Sequence, residues 1–200
     1  MKIYFSPASP YVRKVMVVAH ELGLADGIEK LPSAAGPVAR DATVRQDNPL
    51  GQVPTFFADD GTVLYDSRVI CEYLDDLGGG HMFGSGPTRW RNLTDAALGD
   101  GLLGAALLAR YESVLRPDEF RWADWISGQK AKITDAVDRM ETMAGGFGDR
   151  LDIGTITFAC GLGYLDFRFP DHDWRSGHPR TAAWFELFSQ RSSMAATRPA

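Results

Sequence analysis

Two cysteines in 200 residues, Cys71 and Cys160, stand far apart in apolar surroundings, with no CxxC or CxxxC spacing. That scarcity excludes a disulfide framework and leaves both as reduced core thiols. The four histidines, His20, His81, His172 and His178, form no HxxxH or HExxH pair, and Asp171-His172-Asp173 reads as a solvated loop. No metal site is expected. No uninterrupted apolar run approaches the length of a membrane span, about eighteen residues. The start, MKIYFSPASP, is broken by prolines before any signal-like region develops. The expectation is a cytoplasmic chain beginning at Met1, with no membrane partner. An excess of basic charge is also missing: the net charge is -5 and the pI is near 5.3, so nucleic-acid binding through phosphate contacts is disfavoured. A small-molecule or protein partner fits better.

What is present is enough apolar material for a substantial core, 44% of residues, of which aromatics are 11% of the chain. Lys2 to Phe5 is a strand candidate. From Pro10 to Leu22, apolar residues at Val12, Val15, Met16, Ala19 and Leu22 keep helical spacing, with Gly23 as the stop. Between Ile28 and Arg45 the pattern weakens to a strand followed by an irregular loop or short helix. Val53 to Ala58 and Thr62 to Tyr65 then flank Asp59-Asp60-Gly61, a hairpin composition. Asp66 or Ser67 can cap the next helix, whose inward face is Ile70, Tyr73, Leu74 and Leu77.

Beyond GGGHMFGSGP, residues 78–87, only helical patterns follow: Thr88 to about Glu112, Pro117 to about Ala144, Asp152 to about Arg168 and Thr181 to Gln190. The organisation predicted is an α/β domain over 1–78, a linker over 79–87 and an all-helical domain over 88–200. In DIGTITFACGLGYLDF, small or apolar residues run all round the helix, which predicts burial on every side. Asp152 can cap it, but Thr155 offers no carboxylate to complete a capping box, so a slightly weakened helix start is expected.

Three local features of the first domain carry chemistry. Pro10 at the first helical position pushes Ser9 into extended backbone, so Ser9 is an N-cap with unsatisfied backbone N–H groups behind it. In Asn48-Pro49-Leu50-Gly51-Gln52-Val53-Pro54, a loop delivers Val53 and Pro54 to a strand start, where an X-Pro bond can be cis. Asp66-Ser67 opens a helix whose dipole suits a carboxylate ligand. Each has an ordinary structural reading as well, as a cap or a strand-entry proline.

Taken in order, a strand, S-P-x-V-R-K, N-P-L-G-Q-V-P, a hairpin and D-S-x-x-I-x-x-Y-L before a helical domain resembles the cytosolic glutathione S-transferase family. The likeness spans essentially the whole chain. GLLGAALLARYESVLRP, GYLDFR and HPRTAAWFELFSQRSSM are similar to its bacterial, serine-type branch. The resemblance implies a thioredoxin-like domain that binds glutathione as co-substrate, without a metal, and a helical domain that lines a pocket for a small electrophile. Ser9 then matches the residue that contacts the glutathione sulfur. Val53 pairs with the cysteinyl main chain, Pro54 is the family's cis-proline, and Asp66 and Ser67 hold the γ-glutamyl end. Gln52 stands near the glycyl end where many relatives have lysine.

A homodimer is implied in the same way. Tyr4, Ser6 and Tyr11 are competing hydroxyls, Tyr4 foremost. Position 9 carries no cysteine, so thiol-disulfide exchange loses its nucleophile. Arg110 and Tyr111 are candidates for the electrophile pocket, against the plainer reading of an amphipathic helix surface. Conjugation of glutathione to apolar electrophiles is the implied activity. A scaffold of the same fold, or a glutathione-dependent isomerase, dehalogenase or peroxidase, remains open from sequence.

Overall fold

The computed structural model describes residues 1–199, and the chain divides into two compact units: Met1–Gly84 with Arg191–Ala200, and Ser85–Gln190. In the first unit, β1 (Lys2–Phe5) leads through α1 (Pro10–Glu21) to β2 (Glu29–Pro32), which lies parallel to β1. Parallel neighbours need a crossover, and α1 supplies it. A short α2 (Val44–Asp47) precedes the antiparallel pair β3 (Thr55–Phe57) and β4 (Val63–Leu64), followed by α3 (Ser67–Leu77). The sheet order is β2-β1-β3-β4.

The helix stop at Gly23 has the expected cause. Its φ is +70°, and Leu24 N–H reaches back to the Ala19 carbonyl at 2.8 Å, closing the last turn of α1. In the hairpin, Gly61 takes the positive φ of +85°. Residues 12 to 19 of α1 are all buried, and α3 presents Ile70, Cys71 and Leu74 against the same core with Ile3 and Phe56. Here α1 and α3 pack together.

The glycine-rich stretch after α3 is less of a linker than its composition suggests. The Asp75 carboxylate, buried in α3, accepts backbone N–H groups from His81 at 3.0 Å, Met82 at 2.9 Å and Phe83 at 3.2 Å. Residues 81–83 are thereby fastened to the first unit, with Met82 and Phe83 buried. The end of the chain also differs from the expected division. Residues 192–196 form a further helix, α8 (Ser192–Ala196), which packs on α1. Arg191 pairs with Glu21 at 2.7 Å, Ser193 Oγ donates to the same carboxylate, and Arg13 donates to the Met194 carbonyl at 3.3 Å. Ion pairing of the half-buried Glu21 carboxylate draws these last residues to the first unit.

The second unit holds α4 (Gly86–Val114), α5 (Ala123–Met143), α6 (Ile153–Arg168) and α7 (Pro179–Ser189). The predicted helix from Pro117 starts later, because a short 3₁₀ turn over Asp118–Phe120 intervenes. Ile153 to Leu165 are all buried, so α6 is the core helix its composition predicted. Its backbone approaches α4 closely: a Cβ added at Gly99 would meet Thr157 Cγ2 at 2.7 Å, and one at Gly154 would meet Asp95 Cβ at 2.5 Å. The start of α6 corrects the sequence expectation. Asp152 Oδ1 accepts from Thr155 N–H at 3.0 Å while Thr155 Oγ1 accepts from Asp152 N–H at 3.1 Å, so a hydroxyl completes the capping box in place of a carboxylate. Arg150 ties the same corner together, bridging Asp152 and Asp95. No helix among the described residues is long and apolar enough to cross a membrane.

Candidate functional site

Strand register gathers the predicted residues of the first unit at one end of its sheet. Tyr4 in β1 opposes Thr55 in β3, and Phe56 opposes Leu64 in β4, so β1 ends, β3 begins and β4 ends on the same side. One step beyond that edge lie the turn to Ser9, the entry Val53-Pro54 and Asp66. The N-termini of α1 and α3 open there.

Ser9 has extended backbone, with φ -82° and ψ 120°, and its Oγ accepts the Val12 N–H at 3.3 Å. It is therefore the N-cap that the Pro10 rule predicts. Its own O–H has no acceptor among the described residues. Tyr4, by contrast, is buried in the sheet and its hydroxyl donates to Asp47 Oδ2 at 2.9 Å. Burial raises its pKa, and the bond to the Asp47 carboxylate raises it further. Ser6 and Tyr11 are half-buried.

The Val53-Pro54 peptide bond is cis, with Val53 half-buried and Pro54 buried. The loop carrying it is held from within. Asn48 Nδ2 donates to Thr55 Oγ1 at 2.9 Å and to the Gln52 carbonyl at 3.3 Å, Thr55 Oγ1 donates to that carbonyl at 2.8 Å, and Asn48 Oδ1 accepts Leu50 N–H at 3.0 Å. Asn48 and Thr55 are buried, and satisfied polar networks of this kind fix backbone position. Gln52 keeps its side chain exposed. The Arg40 guanidinium donates to the Pro49 carbonyl, placing a cation beside this loop.

At the third element, Asp66 caps α3 by accepting Arg68 N–H at 2.9 Å, and it also pairs with the Arg68 guanidinium at 2.8 Å. That guanidinium holds the Asp66 carboxyl below its ordinary pKa against the opposing effect of partial burial, with Lys14 adding to the pull. Ser67 is buried at the first position of α3. Lys14 is fully buried in α1, with its ammonium 5.8 Å from the Tyr11 ring centre. The site thus combines two helix N-termini and one acidic cap, an arrangement suited to a ligand with carboxylates and one amino group.

Sequence reasoning singled out Ser9, Gln52, Val53, Pro54, Asp66 and Ser67 but gave no role to Lys14, Asn48, Thr55, Arg40 or Arg68. One signal existed for Lys14. The run Val15 to Ala19 is apolar without interruption, so α1 is enclosed on most sides and a lysine within it has to be inside.

In the helical unit, Arg110 and Tyr111 are half-buried on α4. Burial raises the Tyr111 pKa, which the Arg110 charge opposes. Tyr164 of α6, almost wholly buried, is pushed up to about 12 by desolvation, with Arg110, Tyr111 and Arg168 all close enough to act on it. The two residues thus lie on the part of α4 whose charges act on Tyr164 of α6.

Comparison with known proteins agrees with this geometry. The family description "Glutathione S-transferase, N-terminal domain" matches residues 8–77, and "Glutathione S-transferase, C-terminal domain" matches residues 123–187. The chain is 32% identical to "Uncharacterized GST-like protein YibF" of Escherichia coli (strain K12), over 100% of this chain and 98% of that protein. A glutathione transferase family member from Pseudomonas fluorescens Pf-5, solved with bound glutathione, is 48% identical with a TM-score of 0.96, covering 100% of this chain and 98% of that one. A second structure from Pseudomonas fluorescens Pf-5, with bound S-(propanoic acid)-glutathione, is 46% identical with a TM-score of 0.93, covering 100% and 99%. With both family domains matched and a relative aligned over its full length, this chain belongs to the glutathione S-transferase family.

Proposed function

We propose that the protein is a serine-type glutathione transferase, in which Ser9 donates its hydroxyl hydrogen to the glutathione sulfur and stabilises the thiolate for attack on small apolar electrophiles. The observation that carries the reading is the state of the two rival hydroxyls: Ser9 keeps its O–H available at the N-terminus of α1, whereas Tyr4 spends its O–H on Asp47. A free thiol of pKa about 8.5 is only a few per cent ionised at neutral pH. Lowering that value by one to two units takes about 1.4 to 2.7 kcal/mol, within the reach of one charge-assisted hydrogen bond and a helix terminus. The serine attacks nothing itself, so no general base is required.

Binding distributes over the remaining groups. The Val53 main chain pairs with the cysteinyl peptide unit beside Pro54. Asp66 takes the γ-glutamyl ammonium, while Ser67 and the N-terminus of α3 take the adjoining carboxylate. Gln52 brings no charge to the glycyl end, and Arg40, beside the same loop, supplies the cation there. Glutathione bound in the 48% identical structure supports the co-substrate, and the S-substituted glutathione in the second structure is the kind of molecule that conjugation yields. Arg110 and Tyr111 contribute to the electrophile pocket, and the protein works as a cytoplasmic homodimer.

Titration calorimetry of glutathione into wild type, Asp66→Asn and Ser67→Ala tests the binding, with conjugation of an aryl chloride as the activity. Saturable binding weakened in both variants supports the proposal. Absence of binding at millimolar glutathione contradicts it, and binding without turnover restricts the protein to glutathione recognition.

A further inference from the structure

Arg110 of α4 and Arg168 of α6, both half-buried, make no hydrogen bond or ion pair among the described residues. Other arginines of the same unit behave differently: Arg116, Arg150 and Arg175 each hold a carboxylate, at 2.9, 2.8 and 2.7 Å. The acidic residues nearest in sequence are already committed, Glu112 to Arg116 and the Trp122 N–H, Asp166 to Arg175 and the Trp174 indole N–H. The two guanidiniums are close enough for the Arg110 charge to act against that of Arg168, and both act on Tyr164. Arg168 has its Cζ 3.8 Å from the Phe167 ring centre, while its Nε is enclosed without a partner. Tyr164 is 3% exposed, and its hydroxyl also has no hydrogen-bond partner among the described residues, although a buried tyrosine ordinarily finds one. Two like charges and a hydroxyl, all donors and all unsatisfied, lack the same thing: an anion with several acceptor lone pairs.

We propose that the second substrate is an aromatic electrophile bearing one carboxylate, which Arg110, Arg168 and the Tyr164 hydroxyl hold together. A carboxylate matches the planar fork of a guanidinium and keeps lone pairs for a third donor. The ring lies beside Tyr111, half-buried next to Arg110 on α4. The inference rests on the glutathione transferase reading and narrows its apolar electrophile to one with a single negative end. The reaction is unchanged. With 4-chloro-3-nitrobenzoate, the thiolate forms the carbon–sulfur bond, the aryl–chlorine bond breaks, and chloride leaves with its electron pair.

Steady-state conjugation of 4-chloro-3-nitrobenzoate and of the neutral 4-chloro-3-nitrobenzamide tests it in wild type, Arg110→Met/Arg168→Met and Arg110→Lys/Arg168→Lys. Each kcat/KM is divided by the uncatalysed rate constant, which removes the intrinsic difference in reactivity between the two rings. The expected result is a preference for the carboxylate of about tenfold or more in wild type, falling to about twofold or less with methionine and partly restored by lysine. Equal normalised values in wild type overturn the proposal, and that comparison needs no variant to fold. A preference that survives both methionines overturns it as well. Titration calorimetry with the unreactive 3-nitrobenzoate separates the inference from the reading on which it rests. If neither chloride is turned over, the transferase reading fails; saturable 3-nitrobenzoate binding that the methionine variant loses then sustains the carboxylate site, and no saturable binding overturns that too.

Discussion

The hydroxyl of Tyr4 donates to the Asp47 carboxylate at 2.9 Å, across 43 residues of sequence. This bond gives the tyrosine a structural occupation and separates it from Ser9, the N-cap directly before Pro10 at the start of the crossover helix. Replacing Tyr4 by phenylalanine therefore costs stability, about 1 kcal/mol for one hydrogen bond, and leaves conjugation of an aryl chloride within about twofold of wild type, as expected for a residue that adds nothing to transition-state stabilisation. Urea unfolding and steady-state kinetics measured on the same preparation check both halves. A large loss of turnover with unchanged stability would transfer the role from Ser9 to Tyr4.

Two glycines of α4, two residues apart, respond to alanine with opposite signs. At Gly101 an added Cβ meets nothing within 4 Å, so Gly101→Ala stabilises the helix by up to about 1 kcal/mol. At Gly99 it would press into Thr157, Cγ2 at 2.7 Å and the main-chain carbon at 3.2 Å, and Gly99→Ala destabilises by about 1 to 3 kcal/mol. Denaturation midpoints that move together would contradict the close α4–α6 approach.

His178 predicts a pH dependence. Burial disfavours its charge, but the bonds to Asp138 Oδ1 and to the Trp174 carbonyl, both 2.6 Å, together with the nearby Glu141, outweigh burial and raise its pKa above the ordinary value. A raised folded pKa stabilises the protonated fold. The contribution is complete below the unfolded pKa of about 6.5 and disappears as pH rises through the folded value. The thermal midpoint of Asp138→Asn should thus fall furthest below wild type at pH about 6 and approach it by pH about 9. A gap independent of pH would show that the pair does not titrate in this way.

Much of this architecture is legible in the sequence where local chemistry punctuates it. Ser9-Pro10 and Gly23 delimit α1, Asp59-Asp60-Gly61 marks the hairpin, and Asp66 opens α3, because each acts through its own few neighbours. β2 escapes clear reading for a physical reason: as an edge strand its residues Glu29 to Pro32 are mostly exposed, so no alternation of apolar side chains announces it. The attachment of α8 is equally silent, since it depends on Glu21 meeting Arg191 and Ser193 about 170 residues later. Thr155 shows a subtler limit, a hydroxyl doing at a helix start what the motif assigns to a carboxylate. At the candidate site, the residues that face the ligand carry a local signature, whereas Asn48 and Thr55, which brace the loop behind them, are recognised only once their bonds are seen.

The central claim is that the Ser9 hydroxyl stabilises the glutathione thiolate, and the direct measurement is the ultraviolet titration of that thiolate on the saturated protein. In wild type the bound thiol should ionise one to two units below the free value of about 8.5. In Ser9→Ala the apparent pKa should return upward by about one unit, with glutathione affinity changed less than about threefold and Ser9→Thr recovering part of the shift, as removal of one hydrogen bond to a charged sulfur requires. An identical titration curve for wild type and Ser9→Ala would contradict the account and leave Ser9 as the cap of α1 alone.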